Sequence, residues 1–362
     1  MKIPEMIMTL IRHGISDFNI EGRFQGSGNL AKLSKKGIEQ AYLVGDTLRD
    51  HLIDNIYTSP LLRAKQTAEI IAKVIDHPHP IQFDDRLREV DIPEWQGLRY
   101  SEILQRNPTL HKTFYASPEN FEMYLNGILR RPLFELYQRV SGFMHEQISK
   151  SNSRILVVSH LGTNQALINA ALGLSDRDHH RIQQSHCALS RLEFRATGAA
   201  ELTKLNNTRH LGQSLPKIKS QKTGVRLICI GCTDRKNMMD LDFNISHFEE
   251  RCIWVESGFD TEGVEFPVEP VVFRESLDEL DQSLTERINR LRRNSNKLQT
   301  LLIVVRSDFL TKIAESLFGV PPIFFSSVKN SSKFVMIIHG SSEHKRPIVQ
   351  LLNNSIEGFL KQ

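Results

Sequence analysis

Short apolar runs alternate with amphipathic segments through the first half of the chain, and this alternation is what most restricts the fold. Met6–Ile11 and Arg154–Ser159 are predicted strands, and the second is apolar almost throughout, as expected in a parallel sheet covered on both faces. Strands that alternate with helices indicate an α/β sheet with helices on both sides. The other predicted elements are the helices Lys35–Asp50, Ser59 to about Val74, Pro132–Lys150 and Thr163–Leu172, and the strands Asn55–Thr58, Ser190–Phe194 and Leu202–Asn206.

Two of these helices carry start signals. Ser34 is the predicted N-cap of the first helix, and Ser59 caps the second, with Pro60 at its first helical position. The spacing of apolar residues on the first helix predicts one buried stripe that contains Ile38, Ala41, Val44 and Leu48.

A chain of 362 residues is long enough for two domains. The stretch Thr208–Thr223 is polar and has no apolar period, which favours a linker. We therefore predict a catalytic domain at 1–207, a linker at 208–224 and a second α/β domain at 225–362.

The second domain resembles a shortened repeat of the first. Leu10–Asp17 can be compared with Leu227–Asp234, and Ile155–His160 with Leu302–Ser307. In this comparison Cys229, Ile230 and Gly231 stand where the first copy has Arg12, His13 and Gly14, and Arg306 or Ser307 stands at the position of His160. The segment between the two anchors is about 70 residues shorter in the second copy.

Composition argues against several functional classes. The net charge of +4 is spread along the chain, with no basic–aromatic stripe for nucleic acid, and the lysines at 217, 219 and 222 fit a solvated linker. No apolar stretch approaches the ~20 residues of a membrane span, and no signal peptide is evident. The four cysteines form no disulfide framework, so we expect a reducing, cytoplasmic compartment. The Cys229–Cys232 pair lacks a second pair for zinc; a thioredoxin-like redox role is the alternative reading.

Four positions combine into a candidate anion site. Arg12-His13-Gly14 ends the first strand, where open α/β sheets bind ligands, and Ser159-His160 ends another strand. A glycine at position 14 is expected to let the backbone approach a bound anion. Arg63 lies in the first turn of a helix, and Glu89 lies in a loop-like segment. Each residue taken alone has a simpler explanation: His13 could be structural, Arg63 could form a surface ion pair, and Glu89 could be a solvated carboxylate. Zinc is disfavoured because no third ligand has a fitting spacing.

Together these residues resemble the histidine phosphatase superfamily, also called phosphoglycerate mutase-like. The resemblance covers residues 6 to about 207 and contains six motifs in order. They are Arg12-His13-Gly14; Asn19, Arg23, Gln25 and Gly26; Leu33, Ser34, Gly37, Gln40 and Ala41; Ser59–Ala68; Leu87–Gly97; and Val157-Val158-Ser159-His160.

The resemblance implies a three-layer α/β/α fold and a phosphohistidine mechanism without metal or cofactor. His13 would be the nucleophile, and Glu89 the acid that protonates the leaving oxygen and later activates water. The phosphoryl oxygens would be surrounded by Arg12, Arg63 and His160, with Asn19, Gln25 and the backbone near Gly26 completing the substrate site.

The same resemblance favours a phosphatase, because Arg23–Gly26 and Glu94–Gly97 are similar to the phosphatase forms of these loops. A cofactor-dependent phosphoglycerate mutase is the alternative, since Arg130-Arg131 could imitate paired arginines for a second phosphate; a surface pair is the preferred reading. A phosphate-binding regulatory protein is a third reading.

A two-domain subgroup that includes 2-carboxyarabinitol-1-phosphate phosphatase-like proteins shares similar stretches at Ile155–Leu174 and Arg181–Cys187. This likeness implies a small sugar phosphate or phosphorylated sugar acid as substrate. The second domain lacks the catalytic residues, so we predict that it is inactive and serves packing, effector binding or oligomerisation; either domain could support a homo-oligomer.

Overall fold

The computed structural model describes residues 6–150, 153–213, 215–217, 223–232, 253–256, 271–273, 298–306, 314–315, 319–325, 333–340 and 347–353. The chain divides into two compact units. Met1–Leu202 and Asn206–Gln213 form the first unit, and Thr203–Leu205 and Ser214–Gln362 form the second. None of the helices in the described ranges has both the length and the apolar character needed to cross a membrane.

The first unit is a mixed α/β structure, as the alternating sequence pattern predicts. Its strands are β1 Met6–Arg12, β2 Asn55–Thr58, β3 Gln82–Phe83, β4 Met123–Leu125, β5 Ile128–Arg130, β6 Ser153–Ser159, β7 Leu189–Phe194 and β8 Ala200–Asn207. Its α-helices are α1 Asp17–Ile20, α2 Lys35–Leu48, α3 Leu62–Val74, α4 Tyr100–Arg106, α5 Pro108–Ala116, α6 Pro132–Ser149 and α7 Leu161–Ala171. Short 3-10 helices lie at Asp85–Leu87, Pro93–Trp95, Pro118–Asn120, Asp176–Arg181 and Arg209–Leu211.

The main sheet places the two predicted histidines side by side. The strand order is β8-β7-β1-β6-β2-β3, with β1, β6, β2 and β3 parallel and β7 antiparallel to β1. Because Arg12 is the register partner of Ser159, the residues that follow them, His13 and His160, leave the same edge of the sheet. The hairpin of β4 and β5 forms a separate two-stranded sheet.

Helices cover both faces of this sheet. Ile56 of β2 packs in a buried cluster with residues of α2 and α3, whereas the next residue, Tyr57, contacts Phe143 of α6 with ring centroids 5.4 Å apart. Successive side chains of a strand point to opposite faces, so α2 and α3 lie on one side and α6 on the other. This is the three-layer arrangement that the family resemblance implied.

The capping prediction is correct for one helix and wrong for the other. Ser34 caps α2, and its Oγ accepts from the Gly37 N–H at 3.1 Å. Ser59 does not cap α3, which begins at Leu62 with Leu61 at the N-cap position. The Ser59 hydroxyl instead lies 2.8 Å from His160 Nε2, so the active site uses this serine.

The apolar stripe predicted for α2 is also narrower than expected. Ala41, Val44 and Leu48 are fully buried, but Ile38 is 39% exposed. Sequence spacing locates the centre of a buried face well, whereas its margins depend on which neighbours cover them.

The described strands of the second unit have the order β14-β13-β9-β12-β10-β11. Their bounds are β9 Gly224–Cys232, β10 Ile253–Glu256, β11 Val271–Phe273, β12 Leu298–Arg306, β13 Lys333–Gly340 and β14 Ile348–Asn353. Strands β9, β12, β10 and β11 are parallel, and β13 is antiparallel to β9 and to β14.

The register of β9 and β12 shows that two of the matches made from the sequence are incompatible with each other. Arg306 is opposite Cys232, not Cys229, whose partner is Ile303. Since Arg12 is opposite Ser159 in the first unit, matching Arg306 with Ser159 requires Cys232 at the position of Arg12. The match of Cys229 with Arg12 and the match of Arg306 with Ser159 therefore differ by three residues and cannot both hold.

Candidate active site

Backbone contacts fix the orientation and the tautomer of the His13 ring. His13 is only 3% exposed, and its backbone N–H donates to the Ser159 carbonyl at 2.9 Å. Its Nδ1 lies 2.7 Å from the Gly14 carbonyl oxygen. A carbonyl can only accept, so Nδ1 carries the proton of this bond, and the lone pair of a neutral ring is then on Nε2.

Close packing in the fold requires a glycine at position 14. An added Cβ there would lie 2.5 Å from the Gly37 carbonyl oxygen, and the Gly14 N–H donates to Thr67 Oγ1 at 3.1 Å. The sequence-based expectation was that this glycine lets the backbone approach a bound anion. The structure shows that it lets the loop after β1 approach the first turn of α2.

Two buried arginines lie beside the nucleophile. Arg12 Nη1 donates to the Gln184 carbonyl at 2.9 Å, and Arg63 donates to the carbonyls of Gly28 (Nη1, 2.9 Å) and Gly26 (Nη2, 2.8 Å). Desolvation lowers the pKa of both side chains to about 10, and the nearby Arg12 adds to the lowering at Arg63. Both stay charged at neutral pH.

His160 is fully buried at the N-cap position of α7, and its ring centroid is 5.3 Å from that of His13. Its Nε2 lies 2.8 Å from Ser59 Oγ, which also accepts from the Leu61 N–H at 3.3 Å. Donation of the Ser59 hydroxyl proton to Nε2 satisfies all three groups and makes Nδ1 the N–H donor of His160. Desolvation, followed by electrostatic interactions with Arg63, His13 and Arg12, holds the pKa of His160 well below its usual value.

Three buried nitrogens of these residues have no hydrogen-bond partner within the described protein: Arg12 Nε, Arg63 Nε and His160 Nδ1. Buried polar groups are nearly always paired, and two buried cations side by side are unfavourable without a counter-charge. A phosphoryl group, which is anionic and accepts hydrogen bonds on every oxygen, meets both requirements.

Glu89 lies at the N-terminus of α7, on the side of the site away from β7. Its carboxylate accepts from the N–H groups of Val90 (2.9 Å), Gly162 (3.0 Å) and Thr163 (3.1 Å). The free N–H groups and dipole of a helix N-terminus stabilise a carboxylate there. Glu89 also interacts electrostatically with Arg12 and Arg63, which places it within reach of the same ligand.

Arg139 of α6 is a support that the sequence analysis missed. Its guanidinium donates to the carbonyls of Arg86 (2.8 Å), Arg88 (2.6 Å) and Glu89 (2.9 Å), so it holds the segment that carries the acid. Ser159 Oγ donates to the Leu87 carbonyl at 2.7 Å and adds a second anchor. An arginine inside an amphipathic helix gives no sequence signal for this role.

Replacing Gly162 by alanine should impair proton transfer without unfolding the protein. An added Cβ would lie 2.6 Å from Glu89 Oε1, the end of a movable side chain, so the carboxylate shifts rather than the backbone. We expect kcat for an alkyl phosphate to fall about 100-fold, within the range of general acid–base catalysis. Loss for p-nitrophenyl phosphate should be much smaller, because nitrophenolate departs without protonation.

The matched control is Gly142→Ala on α6, where an added Cβ meets nothing within 4 Å. Its kcat and melting temperature should equal or exceed those of the wild type. Equal losses of Gly162→Ala on both substrates would contradict a proton-transfer role for Glu89.

Of the three loop residues predicted to bind substrate, two contact other residues of the site and the third is available to a ligand. Asn19 Oδ1 accepts from the Ser16 N–H at 3.1 Å and lies 3.0 Å from His186 Nε2. The Gly26 carbonyl accepts from Arg63, so Gly26, with a φ of +50°, orients that arginine. Gln25 Oε1 is buried and has no partner within the described protein, which leaves it available to a ligand.

His186 is a third histidine at the site, and the sequence analysis did not assign it a role. Its ring meets that of His13 edge-on at 5.6 Å. It follows Gln184, whose carbonyl holds Arg12, so the loop before β7 closes one side of the site. The signal for it was the Arg181–Cys187 stretch, which the sequence analysis used only for the subgroup likeness.

Arg130 and Arg131, considered as a second phosphate clamp, contact carboxylates instead. Arg130 Nε donates to Glu135 Oε1 at 2.8 Å, and Arg131 Nε lies 3.4 Å from Glu122 Oε1. These ion pairs agree with the surface-pair reading. In the described part of the chain, no group of three or more His, Cys, Asp or Glu side chains is arranged to hold a metal ion.

Comparison with known proteins gives the same picture. The family model described as histidine phosphatase superfamily (branch 1) matches residues 8–208. A protein from Arabidopsis thaliana named "Probable 2-carboxy-D-arabinitol-1-phosphatase" is 36% identical over 206 residues, 56% of this chain and 42% of that protein. The 2-carboxy-D-arabinitol-1-phosphatase of Triticum aestivum is 32% identical over 233 residues, 62% of this chain and 46% of that protein. The matched region thus spans less than half the length of these two relatives.

Among solved structures, the phosphoserine phosphatase of Entamoeba histolytica in complex with 3-phosphoglyceric acid is similar, with a TM-score of 0.50 and 25% identity. The match covers 57% of this chain and 99% of that one. The residues that match the family model lie almost entirely in the first unit, which holds every site residue described above.

Proposed function

Because the chain belongs to the histidine phosphatase superfamily, we propose that it hydrolyses a phosphomonoester through a phosphohistidine formed on His13. The observation that carries this proposal is the group of unpartnered N–H donors beside the nucleophile. Arg12 Nε, Arg63 Nε and His160 Nδ1 are buried next to a neutral imidazole with its lone pair on Nε2. Such a site binds a phosphoryl group and presents it to His13.

The chemistry follows from these positions. His13 Nε2 forms a bond to phosphorus while the bond to the leaving oxygen breaks, and protonated Glu89 gives that oxygen its proton. Water then attacks phosphorus, Glu89 takes a proton from it, and the P–N bond breaks to restore neutral His13. The charges of Arg12 and Arg63 stabilise the phosphoryl oxygens in both steps, a task that Mg²⁺ performs in other phosphoryl transfer enzymes.

The substrate that we propose is a small sugar phosphate or a phosphorylated sugar acid. Both curated relatives carry the name of a phosphatase that acts on 2-carboxy-D-arabinitol 1-phosphate, a phosphorylated sugar acid. The similar Entamoeba enzyme was crystallised with 3-phosphoglyceric acid, which is also a phosphorylated carboxylic acid. A phosphoglycerate mutase is the second candidate, although Arg130 and Arg131 are engaged by Glu135 and Glu122.

The second unit, we propose, is a shortened and catalytically inactive copy of the first. In support, its described strands follow the order that the first unit shows, with one antiparallel strand next to the first parallel strand. With Cys232 at the position of Arg12, the residue at the position of His13 is Thr233, and Ser307 stands at that of His160. The structures of Thr233 and Ser307 lie outside the described residues, and the domain limits 1–207, 208–224 and 225–362 stay part of this proposal.

A reducing, cytoplasmic compartment also stays a proposal. It is supported by two buried cysteines, Cys187 and Cys229, that are not joined in a disulfide.

The test is an assay of the full chain with EDTA present, on sugar phosphates, phosphorylated sugar acids and phosphoglycerates. We expect phosphate release, fastest with a sugar phosphate or sugar acid phosphate. Interconversion of phosphoglycerate isomers with little release would favour the mutase. Binding of vanadate without turnover of any compound would favour the phosphate-binding regulatory protein.

A further inference from the structure

Ser27 lies between the two carbonyls that hold Arg63, and the sequence analysis gave it no role. Arg63 donates from Nη2 to the Gly26 carbonyl at 2.8 Å and from Nη1 to the Gly28 carbonyl at 2.9 Å. The Gly28 N–H donates to the Gln25 carbonyl at 3.1 Å, which closes a four-residue turn around Ser27. A shift of this turn therefore moves both carbonyls on which the guanidinium of Arg63 is held.

The hydrogen-bond partners of Ser27 come from the segment that carries Glu89. The Ser27 hydroxyl donates to the Asp91 carboxylate and accepts from Gln96 Nε2 at 2.8 Å. The Ser27 carbonyl accepts from Arg88 Nη2 at 3.2 Å. Arg88 and Asp91 lie on either side of Glu89 in the chain, so Ser27 joins the turn that holds the arginine to the segment that positions the acid.

The turn and this segment also pack directly against each other. A Cβ added at Gly28 would lie 3.0 Å from Gln96 Oε1, and one added at Gly26 would lie 3.2 Å from the Val90 carbonyl oxygen. Gly26 has a φ of +50°, where glycine is favoured. Residues 25–28 and 88–97 are therefore in close contact although they are far apart in the sequence.

The Ser27 hydroxyl is the side-chain group that connects the two stretches. Without it the Asp91 carboxylate loses a donor, and the Gln96 amide loses an acceptor. Hydrogen bonds to an ionised group are stronger than those between neutral groups, so the bond to Asp91 matters most. Arg63 and Glu89 must act on one phosphoryl group at the same time, and a small misplacement of either costs a large factor in rate.

We infer that Ser27 is a positioning residue that sets Arg63 relative to Glu89. The inference rests on the proposed phosphatase function, because it assigns Ser27 an effect on two residues of that mechanism. Ser27 acts through the carbonyls of Gly26 and Gly28 and does not itself contact the phosphoryl group. Its effect should therefore depend on the guanidinium that those carbonyls hold.

The test introduces Ser27→Ala and Ser27→Thr into the wild type and Ser27→Ala into Arg63→Lys. In the wild type, Ser27→Ala should lower kcat/KM for the best substrate about tenfold and raise the inhibition constant of vanadate, as expected for one lost hydrogen bond to a charged group. Ser27→Thr keeps the hydroxyl and should recover most of this loss. In Arg63→Lys, Ser27→Ala should cost no more than about twofold, because residues that act as a unit are not additive.

Ser149→Ala is the matched control, because the exposed hydroxyl of Ser149 on α6 donates only to the Glu146 carbonyl, at 2.8 Å, and its loss should leave both constants unchanged. A melting curve of each variant shows that it is folded under the assay conditions. Full activity of Ser27→Ala, or the same tenfold loss in both backgrounds, would overturn the positioning role while leaving the phosphatase in place. A wild type that releases no phosphate from any compound overturns the proposed function and this role with it.

Discussion

Replacing His13 by alanine is expected to abolish phosphate release, with a loss of at least about 10⁴-fold in kcat, since the proposed covalent intermediate forms on this residue. The carbonyl of Gly14 fixes the proton of His13 on Nδ1, so Nε2 is the atom that bonds to phosphorus. Alanine removes this atom and leaves the two arginines in place. The variant should therefore still bind phosphate or vanadate while it fails to turn over substrate.

The first measurement is phosphate release with EDTA present. The second uses ³²P-labelled substrate: the reaction is quenched, and the label left on the protein is tested for stability in acid and in base. Wild-type enzyme should trap a label that is labile in acid and stable in base, as a phosphoramidate is, and His13→Ala should trap none. His145→Ala, at an exposed position of α6, is the matched control and should keep full activity. Turnover that survives in His13→Ala would remove His13 from the mechanism.

The second large effect is expected for Arg63→Lys. This substitution keeps the positive charge and removes the planar guanidinium group. Arg63 uses Nη1 and Nη2 to hold the carbonyls of Gly28 and Gly26, and its Nε remains for the ligand. An ammonium group on a flexible stem cannot make these three bonds in fixed directions. We expect kcat/KM to fall about 100- to 1000-fold, as for the loss of one preorganised donor to transition-state charge.

Arg49→Lys is the control. Arg49 forms an exposed ion pair with Asp46, so this substitution should leave activity unchanged. The readouts are kcat/KM and the inhibition constant of vanadate, which should rise in Arg63→Lys. Since Arg63 is 1% exposed, a melting curve separates loss of binding from loss of fold. A folded Arg63→Lys protein within about threefold of wild type would show that Arg63 does not contact the phosphoryl group.

The way in which the second unit differs from the first shows what sequence comparison can and cannot align. Apolar runs match along many registers, because one Ile or Val fits a buried strand much like the next. The sequence comparison therefore matched Cys229 with Arg12, and only the hydrogen-bonded pairing of β9 and β12 put Cys232 opposite Arg306. The proposal that this unit has no counterpart of His13 is the same in either register, since neither register places a histidine there.

Roles that depend on local sequence were predicted well, and roles that depend on distant partners were not. Ser34 was identified as a cap because a cap bonds to a residue three positions away. Ser59 carries the same signal, yet its hydroxyl lies against His160, a hundred positions later. Likewise, Gly14 was predicted to admit an anion, whereas its neighbour is Gly37.

The sequence by itself determined the α/β fold of the first unit and the family. It also predicted the candidate site residues His13, Arg12, Arg63, Glu89 and His160. It could do so because strand and helix periods are local, and because six ordered motifs are too specific to arise by chance. Only the tertiary structure decided how these residues are held, with Arg139 on the segment that carries Glu89 and Ser59 on His160. The physical reason is that a hydrogen bond or a ring contact across the fold leaves no periodic or motif-like trace in either segment that makes it.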